Sequence, residues 1–201
     1  MTDKANKKYF AFQLLRPIII PVFKLWYNPK IVGKEWIPDR GAAVVAGNHK
    51  HALDPLLVYI CTKRTVHTLA KSELFSGLFG WFFKLIGSIP VDLEAKNNPD
   101  AFHTALGRLK TGSLINVSPE AERNFTNKTL LPFKYGAVVM TKRAGCQLVP
   151  YAITGDYKFR SKSLKITFLE PLDLTNLDIE KSNQLLFNTI KELLLKETSQ
   201  T

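Results

Sequence analysis

The sequence predicts an α/β fold in which helices flank a largely parallel central sheet. Runs of β-branched residues alternate with helical patterns along the chain, which is typical of this class. The 201 residues, 45% of them hydrophobic, suffice for one sizeable core. We see no internal repeat and no low-complexity linker, so we divide the chain into an N-terminal helical segment at residues 1–28 and an α/β domain at residues 29–201.

Short runs rich in β-branched and apolar residues are predicted to form the strands of the sheet. They occupy residues 30–37, 42–47, 65–70, 113–117, 147–153 and 163–174. Turn residues punctuate these runs, as in the "PDRG" stretch that separates the first two.

Helical patterns fill the intervals, and the last of them is amphipathic with an acidic start. They occupy residues 55–63, 72–87, 99–111, 136–145 and 179–198, and the very apolar 72–87 is expected to be broken. The third has the clearest boundaries, with Asn98 as the predicted N-cap, Pro99 at the first helical position and Gly112 just past its end. Ligands of parallel α/β sheets bind beyond the carboxyl ends of the strands, so functional residues are expected there.

The N-terminal segment contains the apolar run "YFAFQLLRPIIIPVFKLWY", interrupted by Arg16, Pro17 and Pro21. It falls short of the roughly 18 or more uninterrupted apolar residues that a membrane-spanning helix needs. Residues 1–40 contain eight basic and three acidic side chains, and this cationic fringe favours a helix lying at the membrane interface. The alternative is a helix packed on the core of the domain. We expect a membrane-associated, monotopic or peripheral protein at the cytoplasmic face.

The net charge of +11 indicates an anionic partner, which could be nucleic acid, a lipid surface or an acidic substrate. No block rich in Lys and Arg appears, and the aromatic residues lie in apolar runs, so nucleic acid is the less favoured partner. The two cysteines, Cys61 and Cys146, are far apart in sequence and predict neither a disulfide framework nor a metal site. Membrane lipids are therefore the expected partner.

A polar cluster, "NHKHALDP", follows the predicted strand at 42–47. A metal site would use His49, His51 and Asp54, but the two remaining histidines, His67 and His103, bring no ligand motif, so no metal is expected. Asp54 before a proline also fits a helix N-cap. If the loop folds His49 back onto Asp54, the carboxylate would fix the imidazole tautomer and stabilise the imidazolium, as a general base requires.

Several segments resemble, in order, the boxes of the PlsC-type glycerolipid acyltransferases, which include the 1-acylglycerol-3-phosphate O-acyltransferases. They are "NHKHALD", "AKSELF", "GSIPVD", "SPEAER" with "LPFKYG", and "VPYAI". The resemblance runs from about residue 31 to about residue 170.

The resemblance implies transfer of a fatty acyl group to the free hydroxyl of lysophosphatidic acid, giving phosphatidic acid. The donor would be a thioester of coenzyme A or acyl carrier protein, with no bound cofactor. His49 would act as general base and Asp54 would orient it; the acceptor hydroxyl attacks directly, so no serine or cysteine nucleophile is needed. Glu120 and Arg123 match the family's Pro-Glu-Gly-Thr-Arg box, which binds the acceptor, and Lys71 is a further candidate cation.

Three positions depart from the family's pattern. Leu93 stands where the family commonly has Arg, and Ala121 and Glu122 replace the usual Gly and Thr. Two alternatives therefore stay open: an enzyme of the same family that acts on another lysolipid or on glycerol 3-phosphate, and a basic nucleic-acid-binding protein.

Overall fold

The computed structural model describes residues 10–78, 80–95 and 98–199. The α-helices are α1 (Phe10–Tyr27), α2 (Asp54–Tyr59), α3 (Gly80–Leu85), α4 (Pro99–Lys110), α5 (Gly136–Ala144) and α6 (Ile179–Thr198). The strands are β1 (Lys30–Val32), β2 (Ala43–Gly47), β3 (Val66–Lys71), β4 (Ile89–Val91), β5 (Leu114–Val117), β6 (Gln147–Thr154) and β7 (Lys165–Phe168). Two 3₁₀ turns occupy Lys34–Trp36 and Ser72–Phe75.

The strands form one sheet in the order β1-β7-β6-β2-β5-β3-β4. Among the described strands, β6 and β7 pair antiparallel and the other five neighbouring pairs are parallel. The predicted α/β class with a largely parallel sheet is therefore confirmed. Because β2 lies between β5 and β6, the carboxyl ends of these three strands are adjacent.

Alternate residues of the buried strands point into two separate cores. In β2, Val44 belongs to the core under α4, α5 and α6, whereas Val45 belongs to the core under α1 and α2. Each face of the sheet is covered by helices, which is the arrangement that parallel sheets require.

The N-terminal helix α1 packs one of its sides on the sheet and exposes the other. Phe23 is buried, and Arg16 donates hydrogen bonds to the carbonyl oxygens of Thr62 and Arg64. One side of this helix therefore contacts the core, which is the alternative that the sequence left open. The division of the chain at residue 28 stays a prediction. The cations Lys4, Lys7 and Lys8 lie outside the described residues.

A membrane-crossing length of apolar helix does not occur within residues 10–78, 80–95 and 98–199.

Two predicted strands are shorter in the structure. The run at 30–37 ends at Val32, because Gly33 takes a left-handed conformation (φ 71°) and a 3₁₀ turn follows. A side chain at Gly33 would lie 2.1 Å from the carbonyl oxygen of Phe168, so the chain also needs glycine there for lack of space. The run at 163–174 forms a strand only over Lys165–Phe168.

Most helices follow the sequence patterns, but the helix predicted at 55–63 already ends at Tyr59. The apolar stretch 72–87 is broken as predicted, and α6 spans the predicted residues 179–198. Asn98 is the N-cap residue of α4, as predicted, but its side chain makes no capping bond. Instead, Asn98 accepts a hydrogen bond from the Asp92 amide and donates one to the Asp92 carbonyl, so it holds the loop after β4.

Candidate active site

Asn48 begins the loop that follows β2 and ties it to β6. Its side-chain nitrogen donates to the Ile153 carbonyl at 3.0 Å, and its side-chain oxygen accepts from the Ile153 amide at 2.7 Å. This buried amide pairs with the β6 backbone much as another strand would, because it supplies both a donor and an acceptor. The loop backbone therefore starts from a fixed position.

His49 and Asp54 form a hydrogen-bonded pair. Nδ1 of His49 lies 2.9 Å from Oδ2 of Asp54, whose side chain is 1% exposed, and the His49 side chain is 21% exposed. The same oxygen accepts from the amides of Lys50 and His51, both at 2.8 Å, which can only donate. The carboxylate is thus the acceptor, Nδ1 carries the proton, and Nε2 presents a free lone pair. The predicted fold-back of His49 onto Asp54 is present.

Asp54 does not cap the following helix, so that interpretation of the sequence is wrong. The helix begins at Asp54 itself, Leu53 is the cap residue, and no side chain caps the first turn. The carboxylate turns back to the amides of Lys50 and His51 instead of forward to the helix. Its hydrogen-bonding capacity serves the His49 loop, and α2 supplies only the position of the residue.

Tyr157 also contributes to this site, although no motif in the sequence indicates it. Its hydroxyl donates to Oδ1 of Asp54 at 2.7 Å, from 103 residues further along the chain. Burial, followed by the nearby charge of Asp54, raises the pKa of Tyr157, which keeps the hydroxyl protonated and able to donate. Tyr157 lies just beyond the carboxyl end of β6, next to β2, so the rule that places ligand sites at strand ends was the signal that could have found it.

Glu120 holds the backbone of His49. It follows β5, is 4% exposed, and accepts the His49 amide on Oε1 at 2.8 Å and the Leu131 amide on Oε2 at 2.7 Å. Burial raises the pKa of the Glu120 carboxyl, and the two amides oppose that effect. Main-chain donors engage both oxygens, so the geometry favours positioning of His49; direct acceptor binding by Glu120 stays a prediction.

Arg123 lies close to the His49 loop. The next residue, Asn124, donates its amide to the carbonyl oxygen of His49 at 2.9 Å. The Arg123 side chain is exposed, with its guanidinium carbon 5.0 Å from the centre of the Phe125 ring. Ala121, which stands where the family has Gly, has a left-handed conformation (φ 64°) that glycine adopts without strain.

The other two positions singled out in the sequence lie further across the sheet. Lys71 ends β3, which is separated from β2 by β5, and its ammonium pairs with the exposed Glu73 carboxylate at 3.0 Å. Leu93 follows the edge strand β4 and is partly buried. A role for Lys71 in acceptor binding therefore stays a prediction.

The remaining histidines of the metal hypothesis have other surroundings. The His51 ring stacks on Tyr157 at 4.3 Å, and its Nδ1 accepts from the Leu53 amide. Burial and the neighbouring Arg108 lower the pKa of His67 to about 4. Within the described part of the chain, no group of three or more His, Cys, Asp or Glu residues could hold a metal ion.

Comparisons with known proteins find acyltransferases that are similar to this chain. The sequence model of the acyltransferase family matches residues 28–154. A protein described as 1-acyl-sn-glycerol-3-phosphate acyltransferase from Saccharomyces cerevisiae is 25% identical over 94% of this chain and 69% of its own length. One with the same description from Streptococcus pneumoniae is 27% identical over 90% of this chain and 69% of its own.

The same fold occurs in a solved structure, that of PlsC, the 1-acyl-sn-glycerophosphate acyltransferase of Thermotoga maritima. The match has a TM-score of 0.73 at 24% identity and covers 98% of this chain and 83% of that one. The matched family region contains His49, Asp54, Glu120 and Arg123, whereas Tyr157 lies beyond its end.

Proposed function

Because the chain belongs to the acyltransferase family, we propose that it moves a fatty acyl group from a thioester to the free hydroxyl of 1-acyl-sn-glycerol 3-phosphate. The product is phosphatidic acid. The observation that carries this proposal is the His49–Asp54 pair at the carboxyl end of β2, with Nε2 of the imidazole free to accept a proton.

That geometry supports the following course of the reaction. Nε2 of His49 takes the proton of the acceptor hydroxyl while the hydroxyl oxygen attacks the thioester carbonyl carbon. The tetrahedral intermediate collapses, the carbon–sulfur bond breaks, and the leaving thiolate takes the proton back from the imidazolium. Asp54 stabilises the imidazolium between these two steps. The donor is a thioester of coenzyme A or acyl carrier protein, and no bound cofactor takes part.

Arg123 is proposed to bind the phosphate of the acceptor. A guanidinium offers a planar fork of donors that suits a phosphate, and the Asn124–His49 hydrogen bond keeps this loop beside the base. Leu93 provides no second guanidinium, so Arg123 makes the main contribution to phosphate binding. Glu122 is exposed to solvent, so its carboxylate can lie outside the phosphate site.

Replacing Arg123 by alanine tests the acceptor. We expect the KM for lysophosphatidic acid to rise by about 10–100-fold, because a charge-assisted hydrogen bond is lost, while the KM for the thioester stays unchanged. Arg40→Ala is the matched control, since Arg40 is an exposed arginine before the amino end of β2. Leu93→Arg should leave activity unchanged or lower the acceptor KM. Steady-state kinetics with each substrate varied in turn measures all three.

An unaltered acceptor KM in Arg123→Ala, together with equal use of lysolipids that lack a phosphomonoester, would contradict this assignment. The second candidate function is then an acyltransferase for another lysolipid or for glycerol 3-phosphate. Leu93 and Glu122, which depart from the family's pattern, favour it.

We also propose that α1 lies on the surface of the membrane, at the cytoplasmic face. Its outward side exposes large apolar side chains at helical spacing: Leu14, Ile18, Val22, Leu25 and Trp26. The net charge of +11 favours an anionic lipid surface, and a helix with one apolar side and nearby cations binds at such interfaces.

Two aspartates on this outward side should release the protein from lipid. For Ile18→Asp combined with Val22→Asp we expect the partition coefficient onto phosphatidylglycerol–phosphatidylethanolamine vesicles to fall about 100-fold or more, because two large apolar side chains no longer enter the interface. The matched control is Ile179→Asp with Leu195→Asp, two exposed apolar residues of α6 on the other side of the sheet. Sedimentation with vesicles measures the bound fraction, and equal binding of the two double variants would refute the proposal.

A further inference from the structure

The hydroxyl of Tyr157 makes the hydrogen bond that the catalytic pair receives from the β6–β7 connection. It donates to Oδ1 of Asp54 at 2.7 Å, whereas Oδ2 takes His49, Lys50 and His51. The two oxygens of the carboxylate therefore have different partners, and Tyr157 bonds to the oxygen that the imidazole does not contact.

We propose that Tyr157 is a positioning residue for acyl transfer, which fixes the plane of the Asp54 carboxylate so that Oδ2 stays on Nδ1 of His49. This rests on the proposed function of the His49–Asp54 pair. A carboxylate turns readily about its terminal bond, because that torsion has broad minima. A donor on Oδ1 holds the group in the orientation in which the imidazole tautomer is set correctly.

Two other rings contact the ring of Tyr157. It stacks on the His51 ring with centroids 4.3 Å apart and planes 19° apart, and it meets the Tyr27 ring edge-on at 5.6 Å. Tyr27 is the last residue of α1, so the N-terminal helix buttresses the residue that orients Asp54.

The segment after Tyr157 is fastened to the same helix end. The Arg160 amide donates to the Trp26 carbonyl at 2.5 Å, and the Phe159 and Trp26 rings meet at 4.9 Å. The position of the Tyr157 hydroxyl therefore depends on contacts from α1 as well as from the His49 loop.

Loss of the hydroxyl has a predictable effect on proton binding at His49. A hydrogen bond to a carboxylate stabilises its negative charge, so without that bond the charge acts more strongly on the neighbouring imidazole. The protonated imidazole is then favoured, and the acid limb of the kcat/KM profile moves to higher pH. The other titratable groups around the pair keep their positions in this substitution: Lys50, His51, Cys61, Glu120 and Tyr151.

The experiment compares Tyr157→Phe with Thr111→Val, which removes an exposed hydroxyl that bonds to the Arg108 carbonyl at the end of α4. Phenylalanine keeps the ring contacts with His51 and Tyr27, so the fold should persist, and thermal unfolding checks this. We expect kcat of Tyr157→Phe to fall about ten-fold with the KM values unchanged. The acid limb should rise by about half a pH unit. Thr111→Val should match the unsubstituted protein.

A readout that needs no turnover separates this proposal from the proposed function. The NMR titration of the His49 imidazole should move to higher pH in Tyr157→Phe and not in Thr111→Val. If the unsubstituted protein acylates no lysolipid but this titration still moves, the proposed reaction fails and the positioning of Asp54 stands. An unmoved titration overturns the positioning role, even if kcat falls, because a packing defect alone would leave proton binding unchanged.

Discussion

Replacing His49 by alanine is expected to lower kcat by about 10²–10⁴-fold, the range that general-base catalysis typically supplies. The acceptor hydroxyl is a poor nucleophile at neutral pH, and the variant lacks the imidazole proposed to remove its proton. The fold should persist, because the His49 amide still reaches Glu120 and Asp54 keeps its bonds to Lys50, His51 and Tyr157. Release of free thiol from the thioester, measured with saturating lysophosphatidic acid, gives kcat.

His103→Ala is the control, since His103 is an exposed residue of α4. It should retain full activity and an unchanged melting temperature. Near-normal turnover in His49→Ala combined with inactivity in His51→Ala would mean that the base has been assigned to the wrong histidine.

Replacing Asp54 by asparagine is expected to lower kcat by about 10²–10⁴-fold as well, because the imidazolium loses the charge that stabilises it. The amide oxygen can take the place of Oδ2 and accept from Lys50, His51 and His49. Its NH₂ group then faces the Tyr157 hydroxyl, which must turn to accept. Replacing these charged hydrogen bonds by neutral ones should reduce the free energy of unfolding by about 1–3 kcal/mol.

Asp156→Asn provides the matched control, since Asp156 is exposed and pairs with Lys158 at the surface. Activity assays and urea unfolding of both variants separate the catalytic loss from the loss of stability. Full activity in Asp54→Asn would show that the negative charge is not needed and would leave Asp54 as a structural residue of the loop.

The contact between His49 and Asp54 was predictable from sequence because it is local. His49 and Asp54 lie five residues apart, and a proline directly after Asp54 marks the start of a helix, so the chain before it must turn. Their contact needs no knowledge of the rest of the fold. The predicted N-cap role of Asp54 is wrong. An Asp-Pro pattern fits both an N-cap and a carboxylate that turns back to the preceding loop, and the sequence does not show which amides the carboxylate reaches.

Tyr157 could not be assigned in the same way. Its contact with Asp54 spans 103 residues and exists because β6 lies directly beside β2. The sequence predicts a strand at 147–153 but leaves the order of the strands open. The short strand β4 was missed for a related reason: it has three residues, one of them Pro90, and pairs only with β3 at the edge of the sheet.

The contacts of Glu120 bear on which residues of the following loop can be substituted without moving His49. With Leu131 bound to one oxygen and the Lys134 amide bound to the Pro119 carbonyl at 2.8 Å, the loop from 121 to 130 is closed at its base. Inside it, Asn124 bonds to Lys128 and Thr126, so the tip maintains its own shape. Because the Asn124 amide also donates to the His49 carbonyl at 2.9 Å, a substitution at residues 125–129 that displaces Asn124 would move the His49 backbone, so the tip of this loop does not vary independently of the proposed base.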